Sequence, residues 1–280
     1  MSAIADLPVQ RTASFPSARW ELWIGGTLVS LIVLLALIGP ALAVQDPAAI
    51  DLHQRFVPPF SKEHWLGTDQ LGRDLLARVL HGLRWSFVAA LSATLLAFAI
   101  GATLGLVAGR SRSFAGKTIR QVTALAQSFP VFVLAVSLVA IVGNGLGAIA
   151  AILGLVTWPV FCRIVQAEAA SLFTREYVLA AEMLQMRRLR LYSRHILPGL
   201  VASLSVVIPF HFADMLIAES ALSFLGIGAP LGAATWGNML QESRSYLLNA
   251  PWIMLVPATA VVTLVIAANL LGDGLRRRLG

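Results

Sequence analysis

Apolar residues in this chain come in long uninterrupted blocks rather than in alternation. Leu22 to Val44 runs 23 residues without a charge. Trp85 to Gly109 is a second uncharged block, and Gln121 to Cys162 continues uncharged for 42 residues. Gly199 to Ala218 is apolar apart from His211, Asp214 and a few small polar residues, and Pro251 to Gly272 is the last block. A bilayer core about 30 Å thick needs roughly 20 apolar residues per helix. Four of the blocks fit one crossing each. The 42-residue block is too long for one, and Gly143-Asn144-Gly145 near its middle predicts a tight turn between two helices. The pattern therefore predicts six spans. The first block is too long for a signal-peptide core and is followed by a poor cleavage site, so it is read as a retained span.

Composition agrees. Of 280 residues, 58% are hydrophobic and 12% charged, against about 25% charged in a soluble domain. An ordinary soluble enzyme, a disordered chain and a disulfide scaffold are excluded; the single Cys162 permits no internal bridge. The net charge of +7 marks a membrane side rather than nucleic acid. With both termini inside, residues 1–21, 110–120, 163–198 and 273–280 hold 15 of the 21 Lys and Arg residues, as the positive-inside rule requires. The outer loop 45–84 carries five bases but also five acids. Its first part, with Pro58-Pro59, is expected to be irregular, with a helix around Gly72 to Leu83. The loop 163–198 reads as helical, with Ala180, Ala181, Leu184 and Leu191 on an apolar face. Residues 1–21 read as a flexible cytoplasmic tail, residues 22–84 as the first span with its outer loop, and residues 85–280 as a five-helix core. Backbone groups in lipid must be satisfied internally, so the fold class is all-α, a polytopic helical bundle.

Several positions carry possible chemistry. His211 and Asp214 share one face of span five, and Glu219 follows a little over a turn later. Ionisable groups at membrane depth are functional candidates because their burial is costly. They either line a translocation path or bond a neighbouring helix. One His with one Asp does not define a metal site. Asp69, Arg73 and Asp74 form either a docking point or fixed polar cluster in the outer loop, or a capped helix start to which Asp69 and Gly72 are suited. Gly101, Gly105 and Gly109 recur every four residues, a spacing that permits close helix contact. Pro130, Pro159, Pro209 and Pro257 are expected to kink their spans. Residues Ser111 to Thr118 approach a phosphate-binding loop, but the first glycine is missing and a span precedes them, so no ATP site is assigned. No nucleophile–base pair or metal motif is found at membrane depth.

The segment Arg175-Glu176-Tyr177-Val178-Leu179-Ala180-Ala181-Glu182-Met183-Leu184-Gln185, followed by Arg187-Arg188-Leu189-Arg190 and His195-Ile196-Leu197-Pro198, resembles the EAA loop of bacterial ABC importer permeases. His64 to Asp74, Glu219 to Gly228 with Trp236 to Leu240, and Asn269 to Arg276 add to the likeness. Together they resemble the second permease subunit of the dipeptide, oligopeptide and nickel importers, from about residue 20 onward. The resemblance implies a type I importer permease (MetI-like) fold. It also implies a second permease subunit, two cytoplasmic ATPases holding ATP and Mg, and an extracytoplasmic solute-binding protein. This chain would bind no cofactor and catalyse no bond chemistry. Glu176, Tyr177, Ala180, Ala181, Leu184, Gln185 and Arg187 would form the helix that docks on the ATPase. Leu179 stands where the family has glutamate, and Gln185 where it has glycine. Gln185 either continues the helix or strains the turn. The implied cargo is a peptide or related small solute, with nickel or a metal chelate as a rival. An ion-gradient-driven carrier is a rival of another class, against which the basic loop 163–198 stands.

Overall fold

The computed structural model describes residues 18–43, 45–110, 114–230 and 232–279. Residues 1–17 of the expected tail and the first three residues of the near-match Ser111 to Thr118 lie outside them, while residues 18–21 of that tail belong instead to the first helix.

Ten α-helices occur among the described residues: α1 Ala18–Leu42, α2 Leu75–Arg110, α3 Phe114–Gln127, α4 Val131–Val142, α5 Leu146–Phe173, α6 Glu176–Met183, α7 Arg188–Leu191, α8 Leu197–Phe224, α9 Trp236–Ser243 and α10 Trp252–Leu279. A π-helical turn, Tyr192–Ile196, joins α7 to α8. No strand is found among these residues. Five helices are long and apolar enough to cross a membrane. The pair α3 and α4 supplies a sixth span if taken as one unit bent by 87°. The bend falls at Ser128-Phe129-Pro130. Proline has no N–H to donate and disfavours helical geometry in the residue before it, so the expected kink is a full break. The helices α5, α8 and α10 instead run on through Pro159, Pro209 and Pro257.

The turn expected at Gly143-Asn144-Gly145 joins α4 to α5, and Gly143 takes φ +98 there. In the outer loop, residues 45–74 are irregular apart from a short 3-10 turn at Leu52–Gln54. The helix expected around Gly72 to Leu83 is no separate element. It is the first turns of α2, so the 84/85 boundary falls inside one continuous helix. The reason is local: Asp74 Oδ1 accepts from the Ala77 N–H at 2.8 Å and caps α2 nearly three turns before the hydrophobic block begins.

Small residues set the bundle geometry. A Cβ on Gly105 would lie 2.7 Å from the Cys162 carbonyl oxygen, and one on Gly109 2.8 Å from that of Gln166. The Gly101-Gly105-Gly109 stripe thus seats α2 directly on the backbone of α5, as its spacing predicted. A second close crossing joins the two ends of the chain. A Cβ on Gly274 would lie 2.6 Å from Leu22 Cα, so α10 lies against α1. Nearby, Arg277 Nη1 meets Glu21 Oε1 at 3.1 Å. Two buried apolar clusters result. The larger joins α1, α2, α4, α5, α8, α9 and α10 around Leu216, Trp236 and Leu264. The smaller, around Phe161, Val165 and Leu200, reaches the 174–196 loop through Val178, Ala181, Leu191 and Ile196.

Candidate functional site

Residues 174–196 form a loop with one face anchored and one face bare. Val178 and Ala181, three apart on α6, bury themselves with Leu191 and Ile196. Arg110, the last residue of α2, braces the arrangement. Its Nη2 meets Glu182 Oε1 at 3.3 Å, and its guanidinium lies 5.6 Å from the Phe173 ring and 5.8 Å from the Tyr192 ring. Tyr177 and His195 stand with ring centroids 5.9 Å apart. Outward, Met183, Leu184 and Leu189 are each more than 80% exposed, beside exposed Glu176, Tyr177, Leu179, Ala180, Gln185 and Arg187.

The single apolar face expected for Ala180, Ala181, Leu184 and Leu191 is therefore divided. Ala181 and Leu191 turn inward, while Ala180 and Leu184 face out. Ala180 and Ala181 lie about 100° apart around α6, so one faces out where the other is buried, and the turn at Gln185 ends α6 at Met183 before the face can continue. Gln185 takes φ +54. Its N–H donates to Glu182 O at 2.9 Å, and the Met186 N–H donates to Ala181 O at 3.1 Å. This is the paired hydrogen-bond pattern of a Schellman helix end, whose left-handed residue is usually glycine. Of the two alternatives for Gln185, the strained turn is the one realised.

The outer-loop trio is buried: Asp69 and Arg73 share one charge cluster, and Asp74 pairs apart from it. Asp69 Oδ2 accepts from Arg73 Nε at 2.7 Å and from Arg78 Nη1 at 2.6 Å. Glu242 Oε2, from α9, accepts from Arg73 Nη2 at 2.5 Å and from Arg78 Nη1 at 3.0 Å. Two cations and two anions thus neutralise one another in a largely buried site. Asp69 Oδ1 also accepts the Leu71 and Arg73 N–H groups. Asp74, rather than Asp69, is the helix cap, and its other oxygen meets His64 Nδ1 at 2.8 Å. His64 Nε2 in turn meets Gln54 Oε1. Trp252 Nε1 donates to Thr68 O at 3.3 Å and Trp236 Nε1 to Val79 O at 3.1 Å. The first bond ties the outer loop to α10, and the second ties α2 to α9. Sequence reasoning missed Arg78 and Glu242. Arg78 lies nine residues from Asp69, and nothing local couples either to the α9 segment.

Span five separates its three ionisable groups. His211 and Asp214 both line an open cavity of about 650 Å³ between α4, α5 and α8, together with Phe132, Thr157, Phe210 and Met215. His211 is buried and Asp214 exposed. The His211 and Phe161 ring centroids are 4.7 Å apart. Glu219 does not line this cavity. It is fully buried and accepts from Ser223 Oγ at 3.0 Å, under the tight crossing where Gly237 meets Ser220 and Ser223. Its helical offset of five from Asp214 turns it to another face, so it does not share the cavity of the other two. Among the described residues no cluster of three or more His, Cys, Asp or Glu side chains stands ready for a metal.

An all-helical bundle of five to six spans, with a short helical loop braced beneath it, defines a polytopic membrane protein. Residues 101–280 match the family described as binding-protein-dependent transport system inner membrane component, and the chain belongs to that family. It is 39% identical over 99% of its length to a putative peptide transport system permease protein of Brucella suis biovar 1 (strain 1330), covering 93% of that protein. It is 34% identical over 90% of its length to the dipeptide transport system permease protein DppC of Alkalihalophilus pseudofirmus, covering 83% of it. It is 33% identical over 95% of its length to the nickel transport system permease protein NikC of Escherichia coli K12, covering 95% of it. The family is one of membrane permeases rather than catalytic subunits, and its members are components of multi-part transport systems.

Proposed function

We propose that this chain is one of two permease subunits of an ATP-driven importer for di- or oligopeptides or a related small solute. It works with a second permease, two cytoplasmic ATPases that hold ATP and Mg, and an extracytoplasmic solute-binding protein. Both termini face the cytoplasm of a bacterial cell, in keeping with the basic residues on that side. The 174–196 loop docks on an ATPase through Glu176, Tyr177, Ala180, Leu184 and Arg187. Gln185 sets its shape, and Ala181 anchors it to the bundle from within. His211 and Asp214 line the solute path.

One observation supports this reading above the others. The loop that resembles an ATPase-docking segment is anchored through Val178 and Ala181 while Met183, Leu184 and Leu189 stand bare. A soluble partner would bury that apolar patch and meet the Arg187, Arg188 and Arg190 charges around it. ATPase movement would then reach the spans as a rigid-body displacement.

The test is gentle detergent purification of the chain from its native host, with co-purifying proteins identified by mass spectrometry, followed by peptide uptake in proteoliposomes. The expected result is a heteromeric complex with ATPase subunits and uptake that requires ATP inside. A chain that purifies alone and moves solute on an ion gradient would replace this function with that of a carrier.

A further inference from the structure

The cavity between α4, α5 and α8 has an unusual polar complement: its polar side chains offer acceptors and no free donor. Thr94 Oγ1 donates its one proton to Ala90 O at 2.8 Å. Its oxygen lies 3.4 Å from His211 Nδ1, and with the hydroxyl proton on Ala90 O the tautomer that satisfies this contact carries its hydrogen on Nδ1. In the neutral ring Nε2 is then a bare lone pair. That atom is buried, has no hydrogen-bond partner among the described residues, and belongs to a side chain only 4% exposed on the cavity wall. One turn further along α8, the Asp214 carboxylate adds an exposed anionic acceptor to the same cavity. The Thr157 hydroxyl is engaged, donating to Leu153 O at 2.7 Å. Every other wall residue is apolar.

A buried acceptor without a donor is costly, and a carboxylate at membrane depth costs more. Both costs are relieved by one ligand type, a group with several N–H donors and a positive charge. We propose that His211 Nε2 and Asp214 form a binding point for a protonated primary amine. On the importer function proposed above, this is the amino terminus of the solute as it passes the bundle. A metal cation would also suit a lone pair and a carboxylate, but two protein ligands leave its coordination shell open. The apolar walls, including Phe132 and Phe210, suit the side chain of an amino-acid residue better than a hydrated ion.

The experiment uses the whole purified complex in nanodiscs, without the solute-binding protein. Equilibrium binding is measured for radiolabelled alanyl-alanine amide, which carries one protonated amine and no carboxylate, and for its N-acetyl derivative. Acetylation is expected to weaken binding at least tenfold in the wild type. Asp214→Asn should abolish the difference and Asp214→Glu should retain it. His211→Leu should reduce it, and His211→Gln, which keeps an acceptor, should restore part of it. Failure to bind the amine, equal binding of both probes, or a difference that survives Asp214→Asn overturns the proposal. Tight Ni²⁺ binding that is lost in both His211→Leu and Asp214→Asn would overturn it in favour of a metal. The importer function is read separately, by ATP-driven uptake. Amine-dependent binding without uptake keeps the site and removes that function; uptake without amine-dependent binding does the reverse.

Discussion

Arg78 and Asp69 meet at 2.6 Å in a place where neither side chain is more than 1% exposed. Nine residues separate them, across the cap that starts α2, and Glu242 of α9 closes the site from the other end of the chain. Removing one member of such a buried set strands the opposite charges, which costs about 3–5 kcal/mol. Asp69→Ala should therefore lower the unfolding temperature of the purified protein substantially. Lys62→Ala, in the same loop but outside the network, should leave it unchanged. Equal melting of all three proteins would show that the cluster contributes nothing to stability.

At Gln185 the left-handed turn carries a side chain where glycine is unstrained. A non-glycine residue in that conformation costs roughly 1–2 kcal/mol, partly offset by the lower chain entropy of the unfolded state. Gln185→Gly should stabilise the loop, slowing hydrogen exchange at the Met186 amide about threefold. Gln185→Val, β-branched and poorly suited to φ +54, should speed it. Faster exchange in the glycine variant would mean that the turn is not under strain.

Cys162 is the one cysteine of the chain. It is buried on α5 where Gly101 and Gly105 of α2 cross it, so it reports directly on that contact. Gly105→Val should force the helices apart and raise the rate at which Cys162 reacts with a maleimide fluorophore by at least tenfold. Gly147→Ala, with open space at its Cβ position, should react like the wild type. Unchanged labelling of the valine variant would remove the glycine stripe as the basis of the α2–α5 contact.

Two neighbours on the 174–196 loop should fail differently. Leu184 is bare, so Leu184→Asp should cut solute-stimulated ATP hydrolysis of the assembled complex several-fold while the unfolding temperature of the isolated chain stays within error. Ala181 is enclosed with Val178, Leu191 and Ile196, so Ala181→Arg should lower both. A melting loss for Leu184→Asp, or none for Ala181→Arg, would contradict the division of the loop into outer and inner faces.

Much of the architecture was legible in the sequence because lipid imposes a one-dimensional rule. Every backbone group must be paired within its own helix, so uninterrupted apolar length alone marked the spans. Turn chemistry at Gly143-Asn144-Gly145 and the Gly101-Gly105-Gly109 spacing act over a few residues and were equally readable. The loop that resembles an ATPase dock was recognised from a contiguous motif. Ala181 and Leu184, however, could not be told apart by period, because α6 ends at Met183 and leaves Leu184 as its cap residue outside the helix.

What only the tertiary structure decided is which polar groups meet. Asp69, Arg73 and Asp74 look like surface charge along the chain, and become interior once Arg78 and Glu242 arrive from 9 and 173 positions beyond Asp69. His211 and Asp214 share a cavity, while Glu219 on the same helix belongs to a different polar pocket. Thr94, 117 residues from His211, meets its Nδ1, and Nε2 is left without a partner among the described residues. Local order in a membrane chain follows from composition and short spacing. Burial, charge pairing and tautomer depend on side chains brought together from distant segments, and those contacts exist only after the helices have packed.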